Sequence, residues 1–101
     1  MKEDLLKIIN HYGINNQQRK LNEEIFELQE QISIYEQVHD WDSNGFFMAI
    51  VPDEEKIIEE MSDCYVVLEQ LRLYYDIPTE QIKEMMEYKV KRQIERISKE
   101  W

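Results

Sequence analysis

The chain has 101 residues, 22 acidic against 12 basic, and a formal net charge of −10. That length sets one domain, 1–101, with a small core, and the acidity excludes nucleic-acid binding through phosphates, which needs a basic surface. One cysteine, Cys64, excludes an intramolecular disulfide, and no apolar run approaches membrane-spanning length.

Gly and Pro total only four, so few turns and long helices are expected. Residues 3–12 carry Leu5, Leu6, Ile8, Ile9 and Tyr12 on a short amphipathic helix stopped by Gly13. The N-terminus is too acidic, and too short in its apolar part, for a signal peptide, and a reducing cytoplasm suits the single thiol. Asn15 or Asn16 is expected to cap a second helix over about 15–38, with an apolar stripe of Leu21, Ile25, Leu28, Ile32 and Tyr35. Residues 39–52 break the pattern with Trp41, Asn44, Gly45, Phe46, Phe47 and Pro52, and read as a loop. Asp53 caps a third helix over 54–75, striped by Ile57, Met61, Cys64, Tyr65, Leu68 and Leu71. A turn at Asp76–Pro78 leads to a last helix over 79–99 with Ile82, Met86, Val90, Ile94 and Ile97. The expected fold is all-α: a four-helix bundle with three long helices, completed by oligomerisation because apolar side chains such as Phe26, Tyr74 and Tyr75 remain after one stripe per helix is assigned.

Two acidic motifs stand out: Glu23-Glu24-x-x-Glu27 on the second helix and Glu60-x-x-Asp63 on the third. Residues three or four apart share a helix face. At roughly 100° per residue, Glu24 lies about 60° from Leu21 and Glu60 beside its own apolar edge, so both border the seam between the helices. Glu23 points to the far side. Carboxylates pooled this way repel unless a cation lies among them, and oxygen donors suit magnesium, with manganese as a substitute. Acidic pairs on helices are common on solvated faces. Two matched motifs flanking two apolar stripes favour a site. His11 and His39 lack a partner set and read as surface or interface residues.

These motifs resemble those of the MazG-like, all-α nucleoside triphosphate pyrophosphohydrolases, marked by Glu-Glu-x-x-Glu on one helix and Glu-x-x-Asp on the next. Lys20, shortly before the first motif, and the spaced cations Lys89, Arg92 and Arg96 of the last helix fit the same pattern, which covers about residues 17–98. The gap from Glu27 to Glu60 is longer than the family often shows, and Gln93 stands where many relatives carry Asn. The resemblance implies cleavage of a nucleoside triphosphate between its α and β phosphates, giving a monophosphate and pyrophosphate, in a homodimer or tetramer with the site near the subunit interface. Glu24, Glu27, Glu60 and Asp63 would hold the metal. Glu23, with Glu24, would serve catalysis by positioning or deprotonating water, or Glu23 would hold a second metal. Lys20, Lys89, Arg92 and Arg96 would bind phosphate. For Lys89 and Arg92, complementing the helix dipole is an equal reading, and for Arg96 the dipole or a neighbouring Glu is the better one. Trp41 and Asn44 would contact the base, although capping the bundle or filling an interface accounts for the loop aromatics slightly better. The rival functions are a non-enzymatic acidic binding protein that mimics nucleic acid toward a basic partner, and a degenerate relative that binds nucleotide without cleaving it.

Overall fold

A computed structural model of the chain describes residues 1–43 and 54–100, with side chains for 1–37 and 54–100. Among the described residues there are four α-helices: α1 (Lys2–Tyr12), α2 (Ile14–Ser43), α3 (Glu54–Tyr74) and α4 (Thr79–Ser98). None of these helices is long and apolar enough to cross a membrane.

The i, i+4 pair Leu5 and Ile9 buries one side of α1. Gly13 ends that helix at φ 90, a conformation that side-chain-bearing residues rarely adopt, and its N–H donates to the Ile9 carbonyl at 2.8 Å. Asn15 and Asn16 do not cap α2, which already begins at Ile14. The Asn16 amide instead donates to the Tyr12 carbonyl at 2.7 Å, closing the end of α1. α2 also runs past the expected end near Val38. Residues 39–43 hold neither Gly nor Pro, and nothing in them halts the ladder. Asp53 and the rest of 44–53 lie outside the described residues.

α2 and α3 are antiparallel. Gln17 meets Gln70 and Tyr35 meets Glu54, so residue numbers climb on one helix as they fall on the other. α1 packs against both. The core is small: Leu5, Ile9, Cys64 and Val67 are its buried apolar residues among those described. The seam also lies further round each helix than the apolar stripes suggest. On α2 it follows Gln17, Leu21, Glu24, Leu28, Gln31 and Tyr35, while Ile25 and Ile32 are exposed. On α3 it follows Glu60, Cys64, Val67 and Leu71, while Met61, Tyr65 and Leu68 face outward.

α4 does not join this three-helix body as a fourth member of a bundle. Every residue from Thr79 to Glu100 is exposed, including Ile82, Met86, Val90, Ile94 and Ile97. The corner before it is braced. Arg72 forks onto Glu69 at 2.9–3.2 Å and donates to the Ile77 carbonyl at 2.8 Å, and Asp76 takes φ 53. The radius of gyration is 18.1 Å, where a compact domain of about 100 residues has about 13 Å.

Candidate metal centre

The shifted seam decides the chemistry. It places a carboxylate of each long helix at a position that packing would give to an apolar side chain. Glu24 is only 5% exposed, and Glu60 is half-buried opposite it. Oxygens of Glu24, Glu60 and Asp63 all lie within 4.8 Å of one another. Glu27, one turn beyond Glu24, faces Glu60 closely enough to oppose its ionisation. Four of the five motif carboxylates are thus brought together, Glu24, Glu60 and Asp63 as a close triad. Glu23 is on the outer side of α2, with 65% of its side chain exposed.

Two oxygens make the cluster unusual. Glu24 Oε2 and Glu60 Oε2 are sealed from solvent and have no hydrogen-bond partner among the described residues. Buried polar atoms nearly always find partners, because leaving one unsatisfied is costly. Lys20 meets only the other oxygen, Glu24 Oε1, at 3.0 Å, and approaches Glu23 at 3.8 Å. Hydrogen bonding to Glu24 and its charge hold the Lys20 ammonium above its usual pKa. One lysine cannot neutralise the group. Burial, then Glu27, Asp63 and Glu24, push the Glu60 carboxyl up. Burial, then Glu24 and Glu59, do the same to Asp63. Burial and the surrounding carboxylates also raise the Cys64 thiol. An all-oxygen, multiply anionic donor set with two unused buried oxygens fits a hard divalent ion.

These shifts fix a pH dependence. Raised carboxyls bind protons more readily in the folded chain than in the unfolded one. Stability therefore falls as pH rises from the ordinary carboxyl range through the raised values. Glu69, held low chiefly by its bond to Arg72, gives the opposite slope, but below the ordinary range. Thermal scans without divalent ions should show a melting temperature that declines from mildly acid pH toward neutrality, and magnesium should remove the decline. A metal-free melting temperature that climbs over that interval would contradict the repulsion.

The remaining site candidates divide. Lys20 stands beside the triad. Lys89, Arg92 and Arg96 do not, because α4 packs along neither α2 nor α3; Arg92 lies over the Tyr88 ring of its own helix at 5.7 Å. Trp41 belongs to α2 rather than to a loop. Its side chain and the whole of Asn44 lie outside the described residues.

A cavity of 590 Å³ adjoins the triad, walled by all three packed helices and lined by Glu24 and Asp63 together with Gln17, Gln70 and Tyr12. The Gln17 side-chain amide donates to Gln70 Oε1 at 2.7 Å across the seam. Sequence reasoning passed over this pair because it sought apolar stripes and charges. The usable signal was an amide falling on the same four-and-three spacing as Leu21, Glu24 and Leu28.

No family model matches the chain, and no curated protein or solved structure matches it.

Proposed function

We propose that the protein is a magnesium-dependent nucleoside triphosphate pyrophosphohydrolase, cleaving between the α and β phosphates and working as a homodimer in the cytoplasm. The observation that carries this reading is the pair of sealed, unpartnered oxygens, Glu24 Oε2 and Glu60 Oε2, on two seam residues whose carboxylates gather with that of Asp63 within 4.8 Å. The kinship to MazG-like hydrolases rests on the motif residues, and the free thiol of Cys64 suits a reducing compartment.

Glu24, Glu60 and Asp63 would hold the ion, with Glu27 as a further oxygen donor beside Glu60. A bound magnesium supplies Lewis-acid polarisation of phosphoryl oxygens and a more acidic water. The chain's own residues supply the rest. Lys20, half-exposed and tethered by Glu24, offers its other N–H donors to a phosphate entering the cavity. Glu23 also lines the cavity and is open to water. Its carboxylate takes the proton as water attacks the α-phosphorus and the bridging P–O bond breaks toward pyrophosphate. Lys89, Arg92 and Arg96 then require a second copy to reach the phosphates. α4 has the features of a donated arm: an exposed apolar stripe and a basic second half. Residues 88–99 carry five cations against Glu95 alone, which, taken from the chain's −10, leaves −14 on the remainder.

The burial of Glu24 weighs against a nucleic-acid mimic, whose charges must face its partner. Incubation with each nucleoside triphosphate and magnesium should yield monophosphate and pyrophosphate, resolved by phosphorus NMR. Release of orthophosphate would place the cut at the wrong bond. No turnover of any nucleotide, with a melting temperature unmoved by magnesium or manganese, would return the chain to the acidic binding class.

A further inference from the structure

We infer that the cavity between α1, α2 and α3, rather than the aromatic segment 39–52, receives the nucleobase, and that the Gln17–Gln70 pair reads its edge; this rests on the hydrolase reading above. The described chain has three buried polar side chains, Gln17, Glu24 and Gln70, and all of them line this one cavity. Its 590 Å³ lies within the range of sites for small organic ligands, about 300–1,000 Å³.

The polar groups are ordered along the cavity. Gln17 precedes Glu24 by seven residues on α2, and Gln70 follows Asp63 by seven on α3. Both offsets amount to about 10 Å of helix. The amides therefore sit at one end and the carboxylates at the other, in the order in which a nucleotide presents its base and its phosphates. Lys20 lies between them on the same wall.

The amide pair has capacity to spare. Its mutual bond uses one N–H of Gln17 and the carbonyl of Gln70. Gln17 Oε1 and Gln70 Nε2 make no other bond within the described chain. The Gln17 carbonyl as acceptor and the remaining N–H groups of both amides as donors, on residues only 6% and 2% exposed, suit the mixed donors and acceptors on the pairing edge of a nucleobase. Tyr12 supplies a flat surface. Its ring is held edge-on by His11 at 4.7 Å, it is more than half exposed, and it lines the cavity together with Ile8 and Val66. Aromatic faces stack on any base, while paired amides select among them.

The test uses the full chain and the four ribonucleosides, which have no phosphate and need no metal. In nitrogen–proton NMR titrations, nucleosides should move the side-chain amide signals of Gln17 and Gln70 more than any others. Tyr12→Ala, a substitution outside the core, should weaken that binding and raise KM for the triphosphate about tenfold with kcat within about twofold, the pattern of lost uniform binding. Gln70→Glu should change the order of preference among the nucleosides. Nucleoside-dependent shifts confined to other residues, or a Tyr12→Ala enzyme with unaltered KM, would overturn the assignment. Shifts at the two glutamines without turnover of any triphosphate would sink the hydrolase reading and leave the pocket standing. Turnover without those shifts would do the reverse.

Discussion

Glu60→Gln is expected to make the metal-free protein more stable and to abolish its function. Glu60 sits in the seam, and burial together with Glu27, Asp63 and Glu24 disfavours its ionised form. Glutamine keeps the shape, removes one charge from the cluster, and offers an amide that can donate to the unpartnered Glu24 Oε2. The melting temperature without magnesium should therefore rise by a few degrees at neutral pH. The same change would delete a ligand of the proposed metal centre. Loss of even an outer partner of a metal site typically costs about 10–100-fold in affinity or activity, so pyrophosphate release should fall by at least about a hundredfold, and the magnesium-induced rise in melting temperature should vanish. Opposite signs for stability and activity distinguish a functional cluster from a structural one. A carboxylate kept for packing or pairing would lose stability on neutralisation. Thermal denaturation with and without magnesium, beside a pyrophosphate assay, reads both signs in one preparation. A variant destabilised without metal, or still turning over at the wild-type rate, would end the metal-centre assignment.

How much of this was legible follows from what the helices bury. Composition and the four-and-three spacing suffice for four helices and the turn at Asp76–Pro78, because helix and turn signals are local. They also suffice to group Glu24, Glu27, Glu60 and Asp63, since an antiparallel pair of helices with the motifs at matching heights leaves little choice. The seam itself was misplaced. Ile25 and Ile32 look like core residues on α2, as do Tyr65 and Leu68 on α3, yet they face outward while Gln17, Glu24 and Gln70 go in. Hydrophobicity marks every surface that some partner covers, and in a chain that exposes this much apolar area it marks more than the core. The role of α1 was illegible for a related reason. Its contact with α2 and α3 is long-range, and nothing local announces that Ile8 and Tyr12 wall a cavity beside the carboxylates.

Complementation between two inactive variants should restore activity, which gives the sharpest test of how the outlying α4 is used. Lys89, Arg92 and Arg96 cannot serve the carboxylates of their own chain while α4 stands off the body. In a homodimer they would serve the partner's. Glu60→Gln leaves a chain with intact cations and a crippled metal site, whereas Lys89→Ala with Arg92→Ala and Arg96→Ala leaves the carboxylates intact and none of those three cations. Equal mixing, with subunit exchange, makes about half of the dimers mixed, each with one complete site, so about a quarter of wild-type activity should return. Cations acting within their own chain would return none. The apolar stripe should hold the dimer together. Burying a large apolar side chain contributes about 1.5–3 kcal/mol, so placing aspartate at both Val90 and Ile94 should weaken association by about a thousandfold or more. Light scattering should then show Val90→Asp/Ile94→Asp as a monomer with an intact helical spectrum and little turnover. Both residues are 60% exposed in the single chain, so the substitutions cost its own fold little. An α4 variant that stays dimeric, or a monomer that hydrolyses triphosphate at the full rate, would show that α4 of one copy does not complete the site of another.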